Sequence, residues 1–182
     1  MSDRIAPLEA PYEPAVAEAF SRVMPPGRAP LTLFRTMARN PRVLQRMFAG
    51  SLLDKGTLTL RQRELVILWT TACCGSEYEW GVHVSFFAQR AGLADTDVAA
   101  TCAAPGAHPW PPADAALLRL CDALHNACAI DDALWQALRE HYSEEQLLEA
   151  IALAGYYHTI SFLTNGLRLP LEPDAARFPA HQ

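Results

Sequence analysis

An all-α fold is predicted by three features of this sequence. Leucine and alanine abound in a chain that is 51% hydrophobic. The apolar residues recur at helical spacing. Runs of alternating β-branched residues bounded by turn residues, the material of a sheet, do not occur. At 182 residues the chain suits one domain with a real core and is short for two.

The elements follow in order. Residues 1–30 read as a proline-rich arm with a short helix near 14–23, broken by MPPGRAP at 24–30. Two helices in series come next. LTLFRTMARN ends at the Asn40-Pro41 pair, and PRVLQRMFAGSLLD places Val43, Leu44, Met47, Phe48 and Leu52 on one apolar face. Thr59 and Gln62 form a capping box that opens a helix through RQRELVILWTTACC, closed by Gly75. Ser76 and Glu79 form a second box, opening a helix that stops at Gly92, so the two make a tight hairpin. Asp95 or Thr96 caps a shorter helix before the extended loop PGAHPWPP. ADAALLRLCDALHNAC, with Leu117, Leu118, Cys121, Leu124 and Cys128 at helical spacing, is followed by a helix capped by Asp131. A long helix then begins at a Ser143 and Gln146 box and is almost wholly apolar after Leu147, which suits a bundle centre or a subunit interface. The bundle domain spans 31–168, and residues 169–182 form an extended tail.

Composition narrows the partners. A net charge of −5 and a pI near 5.6 give no basic footprint, so neither nucleic acid nor an anionic membrane is expected. No apolar run is long enough to span a bilayer, and no signal segment opens the chain. The five cysteines lack a C-x-x-C and fall mostly in helical patterns, which suits buried thiols in a reducing, cytoplasmic setting. Cys121 and Cys128, on one helix face, suit packing. The expected partners are a small-molecule substrate and, through the C-terminal helix, further copies of the chain.

Chemistry concentrates in SEYEWGVH, 76–83. Ser76, Glu79 and His83 stack on one helix face, where a carboxylate four residues before an imidazole can hold one tautomer and raise its pKa. The hairpin brings Glu64 of the preceding helix alongside. A carboxylate within RELVILW is either desolvated, hence paired with a cation or kept protonated, or a solvated first-turn residue complementing the helix dipole. Ser76 and Glu79 equally suit a plain capping box, and His83 a satisfied core histidine. Tyr157 and His158, in GYYHTISF, need polar partners if buried, and supply them for each other or face a pocket. Glu64, Glu79, His83 and His158 are metal-ligating types, but spacing fixes no third ligand, so no metal is assigned. His108, His125, His141 and His181 read as solvated.

The run from Arg61 to Leu93 resembles the carboxymuconolactone decarboxylase family, which includes the AhpD-like alkylhydroperoxidases. The resemblance rests on Arg63-Glu64-Leu65, on Tyr78-Glu79-Trp80-x-x-His83 and on Ala91-Gly92-Leu93, with Glu64 standing 19 residues before His83. It implies an AhpD-like helical bundle. In the peroxidase branch the helix opens with C-x-x-C-x-x-x-H, and those cysteine positions fall on Ser76 and Glu79, which cannot cycle through sulfenic acid and disulfide. The decarboxylase branch carries Glu-x-x-x-His, retained as Glu79 and His83. The resemblance then implies cofactor-free decarboxylation of a small carboxylated lactone. His83 moves the proton, Glu79 orients it and Glu64 supports the oxyanion, while Ser76, Tyr78, Trp80, Tyr157 and His158 contact substrate. A thiol peroxidase using Cys73 or Cys74, and a non-catalytic oligomer or ligand-binding protein, are the alternatives.

Overall fold

The computed structural model describes residues 4–104 and 106–180. It is helical throughout, with no strand among the described residues. In chain order the helices are α1 (Pro14–Val23), α2 (Thr32–Met37), α3 (Pro41–Ala49), α4 (Leu60–Cys73), α5 (Glu77–His83), α6 (Asp95–Ala100), α7 (Pro112–Ala127), α8 (Asp132–Arg139) and α9 (Glu144–Leu167). A π-helical turn, Val84–Ala88, continues α5.

Local rules explain most boundaries. Thr59 and Gln62 cap α4 reciprocally, as Ser143 and Gln146 cap α9. Asp131 accepts from the Leu134 amide at the start of α8, and Asn40 from the Val43 amide ahead of Pro41. Gly75 ends α4 at φ +62°, which a residue with a Cβ adopts at a cost, and so allows the short link into α5.

Other boundaries differ from expectation. Ser76 precedes α5 without capping it. Its hydroxyl is buried against the Thr164 hydroxyl of α9 at 2.8 Å, and Glu79 turns inward. Neither Asp95 nor Thr96 caps α6, because the helix starts one residue earlier than such a cap needs and Asp97 accepts from the Ala94 amide. Val43 is exposed, leaving Leu44 and Met47 as the buried face of α3. Cys121 is buried, but Cys128 sits past the end of α7 in a left-handed conformation and is exposed.

The most enclosed helix is α4, buried continuously from Glu64 to Thr71 and packed by α5, α7 and α9. A helix covered on every side needs no polar face, which is why α4 has almost no amphipathic pattern. α9, expected at a bundle centre or a subunit interface, shares the core through Leu147, Leu153, Ala154 and Tyr157 and leaves Leu148 and Phe162 each 70% exposed. Two buried-to-surface ties hold the bundle around α4. Trp69 donates to Asp122 of α7 at 2.7 Å, and Arg61 bridges Asp97 and Asp114 at 3.1 and 3.0 Å.

The segments outside the bundle pack on it. In the arm, whose residues 1–3 lie outside those described, the Leu8 amide donates to the Arg35 carbonyl and Arg39 to the Ala6 carbonyl. The tail runs across its own α5: Glu172 accepts from Tyr78 and from the Thr32 amide, the Ala176 amide donates to Ser85, and Phe178 meets Trp80 edge-on at 5.2 Å. Gly81 permits this approach, since a Cβ there would collide with the Ala176 carbonyl oxygen. His181 lies outside the described residues. Gly81→Ala is therefore expected to lift the tail, lower stability by about 1–3 kcal/mol and speed tryptic cleavage at Arg177. Urea unfolding and timed proteolysis measure both.

Candidate active site

The α4–α5 hairpin sets Glu64 against His83. Glu64 lies one turn in from the Thr59 cap and is fully buried, so it is not a solvated first-turn residue. Its Oε2 accepts from His83 Nδ1 at 2.8 Å, and its Oε1 faces the Arg63 guanidinium at 3.0 Å. Both oxygens are committed as acceptors. Glu64 is thereby placed to hold the imidazole at Nδ1, with both oxygens facing donors.

On the other side of the ring, His83 Nε2 lies 2.9 Å from the Tyr157 hydroxyl and 3.5 Å from Glu79 Oε1. The two glutamates thus flank the ring: Nδ1 points back at Glu64 of α4, whereas Glu79 lies off Nε2. Glu79 Oε2 is buried and has no hydrogen-bond partner among the described residues.

Burial alone would depress the His83 pKa, but Glu64, and Glu79 after it, outweigh that and raise it to about 9. At neutral pH the ring is then an imidazolium, with Nδ1–H on Glu64 and Nε2–H toward Tyr157 and Glu79. Burial, reinforced by Glu79 and Glu64, holds the Tyr157 hydroxyl protonated far beyond its ordinary range. With the Tyr157 oxygen accepting from His83, its own proton is free for another acceptor.

Glu79, His83 and Tyr157 line one cavity of about 120 Å³. Its other walls are mainly apolar: Leu31, Leu33 and Phe34 at the start of α2, Met47 and Phe48 of α3, Phe86 and Phe87 of the π turn, and Ile160 of α9. The wider turn brings Phe86 and Phe87, neighbours in sequence, to the same wall. Val23 and Met24 close the rim, so the N-terminal segment is part of the site. No Lys or Arg is among the lining residues.

The other predicted contacts lie elsewhere. Ser76 is spent on Thr164. Trp80 donates to Thr101 at 2.9 Å, on the side of α5 away from the cavity. Tyr78 donates to Glu172 and accepts from the Leu33 amide at 2.9 Å, bracing a wall residue without lining the cavity. His158 points away, because neighbouring helical residues diverge by about 100°; it meets His125 at 3.0 Å. His125 is thereby half-buried, and His108 is paired with Asp97 at 3.1 Å, so neither is simply solvated, whereas His141 is exposed. Tyr156 lines the cavity, as do Phe34 and Phe48, which no motif marks. None of the five cysteines lines it. Partial burial, with Asp122 second, pushes the Cys73 thiol to about 12.

Fold and site together define an all-helical bundle with a buried glutamate, histidine and tyrosine relay at a small apolar cavity. Residues 39–123 match the model of the carboxymuconolactone decarboxylase family. Over that segment, and in its fold, the chain is similar to the carboxymuconolactone decarboxylase and AhpD-like proteins. A peroxidase-related protein from Silicibacter sp. TM1040 aligns over 93% of each chain with a TM-score of 0.79 at 14% identity. The AhpD-core, peroxidase-related protein from Ralstonia eutropha JMP134 aligns over 93% of this chain and 94% of its own, with a TM-score of 0.72 at 17% identity. A cysteine-to-alanine variant of the debrominase Bmp8, in complex with 2,3,4-tribromopyrrole, aligns over 95% of this chain and 94% of its own, with a TM-score of 0.73 at 19% identity. No curated protein matches the sequence significantly. Among the described residues, no helix is long and apolar enough to cross a membrane.

A raised histidine pKa has a signed consequence. The stabilisation from the His83 pairing is fully present below the unfolded pKa near 6.5 and is lost as pH rises through about 9. The difference in unfolding free energy between the protein and His83→Gln should therefore shrink between these limits, as read by urea titration across that pH range. In NMR the His83 ring should titrate near 9 and move toward 6.5 in Glu64→Gln.

Proposed function

We propose that this protein is a cofactor-free acid–base enzyme of the decarboxylase type, acting on a small lactone-sized substrate. The observation that carries the reading is His83 fixed at Nδ1 by Glu64 and presenting Nε2, beside the unpartnered Glu79 oxygen, to a small apolar cavity. An apolar cavity of about 150 Å³ accepts benzene. The volume here accordingly suits one ring.

On this reading the substrate carboxylate lies toward His83, the one positively charged group among the described lining residues. The bond from carbon to the carboxylate breaks, carbon dioxide leaves, and the electron pair passes into the lactone carbonyl to give an enolate. Tyr157 donates its free proton as a hydrogen bond to the enolate oxygen, and His83 then delivers the Nε2 proton to carbon. Glu79 accepts a hydrogen bond from substrate or from the ring as the charge moves. A site without Lys or Arg holds one carboxylate against His83 and disfavours a second, so a monocarboxylated lactone is preferred over a dicarboxylated one.

Carbon dioxide release from a monocarboxylated lactone, compared with that from carboxymuconolactone, which carries two carboxylates, tests the reading. His83→Gln should lower kcat by at least about 100-fold. Tyr157→Phe should lower kcat more than it raises KM. Turnover that survives in the Glu79→Gln, His83→Gln double variant would sink the mechanism. For the thiol peroxidase alternative, peroxide consumption by a dithiol that requires Cys73 or Cys74 would be the contrary result. Assembly through α9 is proposed as well, on the exposed Leu148 and Phe162. Light scattering of Phe162→Ser checks it, with a loss of mass expected.

A further inference from the structure

A second cluster lies on the far side of α9 from the cavity, at the surface. Cys74 ends α4, His125 is in the last turn of α7 and His158 is midway along α9. Cys74 Sγ lies 3.8 Å from His125 Nδ1, and His125 Nδ1 lies 3.0 Å from His158 Nε2. The three atoms all fall within 4.8 Å of one another. His158 Nδ1 is hydrogen-bonded to the Ala154 carbonyl at 2.9 Å. A carbonyl can only accept, so Nδ1 carries the proton and the lone pair of Nε2 points into the cluster.

We propose that Cys74, His125 and His158 bind a zinc-class divalent cation. Bonds of about 2.3 Å to sulfur and about 2.05 Å to nitrogen at tetrahedral angles set ligand atoms about 3.6 Å (N to S) and about 3.3 Å (N to N) apart. Both observed separations lie close to these values, so the side chains need only small shifts to close on an ion. One thiolate and two imidazoles favour zinc over magnesium or calcium, which take oxygen ligands. The Ala154 carbonyl is the outer partner that fixes a ligating imidazole.

The three ligands leave a fourth position, toward a solvent-open depression also lined by Cys73, Cys128 and Phe162. No ligand comes from the His83 cavity, so the site is independent of the proposed decarboxylation. An ion there would clip the ends of α4 and α7 to α9, adding to the Asn165 to Cys74 carbonyl bond that already joins α9 to the end of α4. Binding expels the thiol proton, because the ligand is the thiolate, and affinity therefore rises with pH.

The test uses the full-length protein freed of metal by chelation and titrated with Co²⁺, then Zn²⁺. One equivalent of Co²⁺ should give a near-ultraviolet thiolate-to-cobalt band that one equivalent of Zn²⁺ abolishes. Cys74→Ser should remove the band, and His125→Gln or His158→Gln should weaken binding by at least about tenfold. A band that persists in Cys74→Ser, or that is lost in His83→Gln with both surface histidines present, overturns the assignment. Without mutation, saturating Zn²⁺ should slow iodoacetamide labelling of Cys74 by at least about tenfold, read by peptide mass spectrometry, and leave Cys102 unchanged. Equal labelling of Cys74 with and without zinc also overturns it.

Discussion

The placement of Glu64 constrains the rest of the molecule. An isolated ionised carboxylate in an apolar interior costs many kcal/mol, so a glutamate inside the most enclosed helix must be met by donors on every oxygen. Arg63 meets one oxygen from the same helix and His83 meets the other from α5. That requirement fixes the register of the hairpin. The Gly75 turn, the length of the link and the buried Ser76 to Thr164 contact all hold α5 where the imidazole reaches Glu64. Breaking such a pair from one side leaves an uncompensated buried charge and costs about 3–5 kcal/mol. Stability thus rests on the same two side chains that the proposed chemistry uses.

The cavity, in contrast, is closed by parts of the chain outside the hairpin. Val23 and Met24 come from the N-terminal segment, and Leu31 and Leu33 from the start of α2. The tail contributes at one remove, since Glu172 receives both the Thr32 amide and the Tyr78 hydroxyl, and Tyr78 receives the Leu33 amide. These contacts keep an apolar wall over His83. Excluding water strengthens every interaction of the ring with its neighbours, because no solvent dipoles compete for the charge. The terminal segments accordingly set the electrostatics of a site to which they contribute no ionisable group.

How far this was legible in the sequence follows from the range of the forces involved. Reciprocal caps at Thr59 and Ser143 are local, and their signatures hold. Ser76 and Glu79 have the same signature, yet Ser76 is claimed by Thr164, 88 residues away, and Glu79 by the cavity. A local pattern cannot register such a competitor. Glu64, Glu79, His83 and Tyr157 were all visible as chemically capable residues. Which glutamate meets which nitrogen of the ring was not, because that depends on which ring nitrogen faces which helix. His158 and Tyr157 are neighbours in sequence but diverge around α9, so one joins the relay and the other a surface cluster. Cys74, His125 and His158 come from three helices, separated by 51 and 33 residues, and leave no spacing motif.

Glu79 gives the arrangement its direction. Glu64 and Glu79 stand on opposite sides of one imidazolium, but Glu64 has both oxygens paired and Glu79 leaves Oε2 buried and unpaired. A polar atom so placed is costly in the folded protein and is retained where something bound relieves it. Tyr157 is its complement, since the hydroxyl accepts from His83 and keeps a proton to give. The cavity therefore offers one acceptor at Glu79 and one donor at Tyr157, on either side of a charged ring. A ligand with an acceptor and a donor on one small apolar frame satisfies both, whereas a hydrocarbon of the same volume leaves the Glu79 oxygen as it was. On the proposed function, selection at this site follows from that asymmetry more than from size.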